Sequence, residues 1–370
     1  MRRFVAALLM LLLLTGYALA EEPARRALES TDLDDLEEFA GKVAPELDLQ
    51  GILQDALHGE LPNTEALIKA LQDRLCAAAK DAVQSCGALI APALLLAVMG
   101  CALPDHSGAS AGAHFLILCT LLLGVVRLTF SEMEGVETCL VRVADFADAA
   151  APPLAALMTA AGMTGSAALI SPLAALIGGA AENLLLHYGL PLCRFALAMA
   201  VAGNLSDAID LGRAYRLTRK TANWGAGLAV TLFTALTAIQ GSVSAGMDGV
   251  AVRTAKYAVD SISPVIGSGI SDAWDSYIGG IVIAKNAVGI SGVALLLAAG
   301  LRPMLRTAAL MVAMNLLAAL MDVLGERRAA RAAEQAAGVC QMLLTLCAAA
   351  LTMGMILLAA AMAAGQNLLS

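Results

Sequence analysis

The chain has 370 residues, 59% of them hydrophobic and 15% charged, with a formal net charge of −8 and a mean hydropathy of +0.77. So few charged side chains cannot clothe a soluble globule of this length, and an acidic chain of this kind is no nucleic-acid binder. Its apolar runs lack the alternation of a membrane β-barrel, which leaves an all-α, polytopic membrane protein of about seven to eight spans after a signal peptide, some broken or re-entrant.

Residues 1–20 carry Arg2 and Arg3, an apolar run from Phe4 to Leu14, and Ala18-Leu19-Ala20 before Glu21. That is the layout of a secretory signal peptide, with an uncleaved first anchor as the rival reading. Either way the next segment starts outside the cytoplasm. Residues 21–85 hold fifteen acidic and six basic residues, so the chain's acidity belongs to this extracytoplasmic helical region. Leu49, Ile52, Leu53, Ala56 and Leu57 form one apolar stripe, and Leu67, Leu71 and Leu75 form another beyond Gly59 and Pro62. Helices this small are expected to lean on a partner or on the membrane surface.

A first membrane bundle is expected over 86–206. Spans at 86–103 and 110–126 make a hairpin across a short connector. Segment 127–148 sets Arg127 and Arg142 against Glu132, Glu134, Glu137, Asp145 and Asp148, the balance of an external connector. From 149 to 206 the apolar run is interrupted by Pro152, Pro153, Pro172 and Pro191. One span with re-entrant helices fits it, and so do three short spans. Such breaks line a cavity or are ordinary kinked packing. The basic connector 207–224 places Arg213, Arg216, Arg219 and Lys220 on one helix face before Trp224, as a topology determinant or as a contact to anionic lipid or an acidic partner.

The second bundle, 225–370, is read as a span at 225–245, an amphipathic stretch at 246–275 on the external surface, and spans at 277–300, 307–324 and 337–363. Arg302 and Arg306 mark a cytoplasmic end. Pro264, Gly267 and Gly269 break helix propagation and permit a change of direction. Lys285 and Asn286 fall inside an apolar run, with Lys285 counted roughly 12 Å into the hydrocarbon from Tyr277. An ammonium at the centre costs about 2.5–3.5 kcal/mol, so a partner is required, and Asp272, Asp275, Glu182 and Asp322 are the candidates. Gly280, Ala284, Ala287 and Ser291 recur at four, three and four residues as a small face for helix packing.

Catalytic signatures are missing. His58, His106, His114 and His187 form no H-E-x-x-H, and there is no phosphate loop, nucleophile elbow or dinucleotide fingerprint, so no enzymatic activity, cofactor or metal is expected. The eight cysteines include no C-x-x-C and read as small hydrophobes rather than as a disulfide framework.

The runs Thr254-Ala255-Lys256, Pro264-Val265-Ile266-Gly267, Ser271-Asp272-Ala273 and Lys285-Asn286-Ala287-Val288-Gly289 together resemble the stage III sporulation protein AE family of endospore-forming bacteria. The resemblance places Lys256, Pro264, Gly267, Asp272, Lys285, Asn286 and Gly289 on the family pattern, with Asp275 beside them. It implies a multi-pass protein of the mother-cell membrane surrounding the forespore. There it would be a component of a secretion-like or feeding channel that supports forespore gene expression after engulfment. Implied partners are the sister proteins of the stage III sporulation A operon, among them an ATPase and ring-forming subunits, and a forespore membrane protein. Association with further copies of the chain stays open. So do a secondary transporter for a small solute and a purely structural scaffold, which the residues alone do not separate. Two departures stand out: Met321-Asp322-Val323-Leu324-Gly325-Glu326 occupies the place of a proline-containing turn, and the N-terminal region is shorter than the resemblance leads one to expect.

Overall fold

The computed structural model describes residues 22–43, 45, 49–57, parts of 76–98, 108–205, 211–262 and 267–364; within these, 108–111, 182, 245, 251–253 and 255–276 are described by backbone alone. All regular structure among the described residues is helical. Helices α1 (Asp34–Val43) and α2 (Leu49–Leu57) precede the bundle helices α3 (Gly108–Ala160) and α4 (Thr164–Gly179). A π-helical segment (Ala180–Gly189) joins α4 to α5 (Leu190–Leu205), and α6 (Gly212–Ile262), α7 (Gly267–Val323) and α8 (Arg327–Ala363) complete the bundle.

Among the described residues, five helical rods are long and apolar enough to cross a membrane: Gly112–Ala160, Thr164–Leu205, Gly212–Val250, Tyr277–Val323 and Arg327–Ala363. This replaces several expected connectors with continuous helix. Segment 127–148 is the middle of α3, because Met133, Val136, Cys139, Leu140, Val143 and Phe146 recur at three- and four-residue spacing and are all buried, leaving the charges other than the buried Glu132 on the other face. Spans 277–300 and 307–324 are one 57-residue helix. Its interruption at Arg302 and Arg306 is bridged because Arg306 pairs with Glu132 of α3 at 2.8 Å. Over segment 149–206, α3 ends at Ala160, the chain turns, and the rod Thr164–Leu205 runs back. Pro152, Pro153 and Pro172 lie within continuous helix, and Pro191 falls in the first turn of α5, where a missing N–H is tolerated best. Gly269 does not break the chain but lies in the first turn of α7.

Two turns share one chemistry. Gly162 and Gly325 adopt φ of 77° and 85°. Met163 N donates to Met158 O, and Glu326 N to Met321 O, both at 2.9 Å; Gly162 N and Gly325 N close the inner bonds to Thr159 O and Asp322 O. Both are Schellman caps, in which a left-handed glycine lets the last carbonyls of a helix find donors. The glycine at 325 thus serves the turn for which a proline was expected.

The hairpin that Gly325 closes is the centre of the molecule. A side chain at Gly289 would meet Met362 (Cγ at 2.6 Å), and one at Gly292 would meet Leu358 at 3.0 Å. A side chain at Gly354 would meet Leu296 at 2.8 Å, and one at Gly300 would run into Leu351. The order is antiparallel, and glycine alternates sides so that the two backbones approach closely, as small residues allow in lipid-embedded bundles. Gly280, Ala284, Ala287 and Ser291, the small face read from the sequence, are all buried. The N-terminal helices lean on this bundle rather than standing alone. α1 packs on α3, with the Phe39 and Phe146 rings 5.6 Å apart, and α2 packs on α7.

Candidate functional site

Lys285 is fully buried. The antiparallel register of α7 and α8 sets it at the C-terminal end of α8, where its Nζ donates to Met362 O at 3.2 Å and to Ala364 O. The last carbonyls of a helix lack intrahelical donors and carry its negative dipole end, so an ammonium there satisfies both hydrogen bonding and charge. Lys285 therefore has the company its chemistry demands, and its partners among the described residues are backbone carbonyls. Asp322 lies about 55 Å away along the same helix, 37 residues on at 1.5 Å each. The side chains of Asp272, Asp275 and Glu182 lie outside the described residues. Lys285 sits level with the C-terminal end of α8.

Its neighbours divide. Gly289 joins Lys285 on the α8-facing side through Met362. Asn286 does not join the cradle, and its Oδ1 is buried with no hydrogen-bond partner among the described residues. Lys256, Gly267, Asp272 and Asp275 fall on helical backbone whose side chains lie outside the described residues, and Pro264 lies outside them altogether. The basic group separates as well. Arg213, Arg216 and Lys220 are exposed, whereas Arg219 turns inward and donates to Gln341 of α8. Beside it the Tyr215 hydroxyl donates to Gln335 O at 2.7 Å, and Asn204 Nδ2 donates to Gln335 Oε1 at 2.8 Å.

Three groupings escaped the sequence reading. Glu132, side chain 7% exposed, is held by Arg306 at 2.8 Å and accepts from the Thr307 hydroxyl at 3.4 Å. Asp248 of α6 is buried and accepts from Gly165 N at 2.8 Å, Ser166 N at 3.2 Å and the Ser166 hydroxyl at 2.5 Å. It caps the N-terminus of α4 from another helix, supplying acceptors that the local sequence lacks. Cys139 of α3 and Cys347 of α8 bring their sulfurs to 2.8 Å. None of the three has a local signature, because each pair is far apart in the chain. The one signal available was that Asp248 ends a run free of charge from Thr221 to Met247.

The family described as stage III sporulation protein AE matches residues 47–365. The chain belongs to that family. The match runs from the approach to α2 through the end of α8, and so takes in Lys285 together with both carbonyls it binds. Stage III sporulation protein AE of Bacillus subtilis (strain 168) is 25% identical over 320 residues, covering 83% of this chain and 79% of that protein. No solved structure matches. For a stage III sporulation AE protein the arrangement is one of anchoring: a lysine on a helix end, an aspartate on a helix start and an ion pair between long helices. Among the described residues no group of histidine, cysteine and carboxylate side chains is placed to hold a metal ion.

Proposed function

We propose that the chain is a membrane component of the channel complex joining mother cell and forespore, working as its multi-pass base and residing in the mother-cell membrane around the forespore. The observation that carries this reading is family membership over 47–365, which ties the chain to sporulation. It is supported by five rods of membrane-crossing length and composition. The proposed partners are the sister proteins of the same operon, including a cytoplasmic ATPase and ring-forming subunits, and a forespore membrane protein. No catalytic role is proposed.

A scaffold reading of Lys285 itself has a specific observation in its favour, since its ammonium is committed to two carbonyls and has no exposed surface. The residue then serves the assembly by fixing the α7–α8 hairpin, whatever moves through the complex. Affinity purification of the tagged chain from sporulating cells tests the proposal. Recovery of the sister proteins and of a forespore membrane protein is expected. A chain that purifies alone from cells in which those proteins are present and extracted would refute it.

A further inference from the structure

Where α7 ends and α8 begins, the hairpin opens into a cavity of about 640 Å³, a volume within the range of small-molecule pockets. Alanines leave the space: Ala319 of α7 and Ala330 of α8 stand where larger side chains would fill it. Four charges line the same cleft, Asp322 from α7 and Arg327, Arg331 and Glu334 from α8. Taken from the turn inward they read acid, base, base, acid. Arg327 and Arg331 are four residues apart and share a face of α8, with Glu334 three residues further on. All four are exposed, and among the described residues neither acid forms an ion pair with either arginine. Charges of both signs that face one cleft and are not spent on each other suit a ligand that carries both.

The surface next to the cleft is of the opposite kind. Val312, Leu316, Leu320 and Val323 form an outward row on α7, all exposed, Leu316 to 67% and Val323 to 86%. Ala319 precedes Leu320 and Asp322 precedes Val323, so the row borders the cleft one residue further round the helix. It runs for roughly 16 Å, eleven residues at 1.5 Å each. A contiguous apolar row of this kind marks contact with lipid or a partner. A cleft of both charges with an apolar track along its edge matches a ligand with a zwitterionic head and an apolar tail.

We propose that the α7–α8 cleft binds one zwitterionic aminophospholipid, of the phosphatidylethanolamine type. Arg327 and Arg331 take the phosphodiester through their guanidinium forks, and Asp322 and Glu334 accept hydrogen bonds from the ammonium. Arg331 and Glu334 lie about 4.5 Å apart along α8, a reach that the two-carbon link between phosphate and ammonium covers. The acyl chains lie along Val312, Leu316 and Leu320. An anionic phospholipid with no ammonium leaves both carboxylates facing its own negative charge, and a choline head has no N–H to give them. The site does not depend on the channel-component reading.

The test uses the full-length chain purified in mild detergent and mixed with palmitoyl-oleoyl phosphatidylethanolamine, phosphatidylglycerol or phosphatidylcholine. Lipid retained per chain is read by native mass spectrometry, and matching size-exclusion profiles confirm that each variant is folded. One phosphatidylethanolamine retained at least tenfold in preference to either other lipid is expected. Arg327→Gln with Arg331→Gln should cut that retention at least tenfold. Asp322→Asn with Glu334→Gln should turn the preference toward phosphatidylglycerol. Ala319→Phe, which fills the cleft without changing its charge, should expel the lipid as well. Arg127→Gln with Arg302→Gln removes the same charge from exposed positions outside the cleft and should leave retention unchanged. Three results would each overturn the proposal: equal retention or no retention of the three lipids, a loss in the outside pair as large as in the cleft pair, and displacement by an equal concentration of soluble phosphoethanolamine. The last would show a site for a free solute rather than a lipid.

Discussion

Lys285 and Asp248 solve the same problem at opposite helix poles. Each is a charged side chain without exposed surface to spare, and each finds backbone groups that a helix end leaves unmatched. Replacing Lys285 with Met removes the donor from two carbonyls, and a loss of about 1–3 kcal/mol is expected. It should be seen as a lower unfolding temperature of the detergent-purified chain, with Lys285→Arg recovering part of it. Asp248→Ala strips three hydrogen bonds from the start of α4 and is expected to lose about 1–2 kcal/mol. Asp248→Asn, which keeps an acceptor, should lose less in the same melting measurement. That Lys285 must have company was legible from sequence, since hydrocarbon forbids a bare ammonium. Who keeps it company was not, because a carbonyl acceptor has no letter in the sequence.

Helix ends and helix contacts carry the next level. Gly162→Ala and Gly325→Ala put a Cβ where the backbone is left-handed, at φ of 77° and 85°. Each should destabilise by roughly 1–2 kcal/mol, readable as faster protease cleavage at 161–163 or 324–326. On the hairpin, Gly300→Leu drives a side chain into Leu351 and is expected to cost about 1–3 kcal/mol or to part α7 from α8. Gly227, with open space around its Cβ position, should accept alanine with no such loss in the same melts. Element types were readable because apolar spacing reports a helix whatever its surroundings. Element lengths were not. The charges of 127–148 and of Arg302–Arg306 look like loop chemistry until Glu132 and Arg306 are found to meet.

For the molecule as a whole, the N-terminal helices act as a clasp on the bundle. Phe39 covers Phe146 and α2 lies along α7. Phe39→Ala removes an aromatic pair worth about 0.5–1.5 kcal/mol beyond its buried area. Hydrogen exchange at α1 should therefore quicken while exchange in α8 stays slow. If α8 quickened equally, α1 would belong to the cooperative core rather than rest on it.

Composition and apolar periodicity were enough to set the solvent and the class, since a chain with so few charges can bury its surface only in lipid and only as helices. The residues around Lys285 were enough for the family. Tertiary structure alone decided which helices merge into single rods, which carbonyls receive the lysine, and which base meets the buried Glu132. The physical reason is common to all three. They depend on register between segments many residues apart, and register is fixed by close packing of side chains rather than by any local preference along the chain.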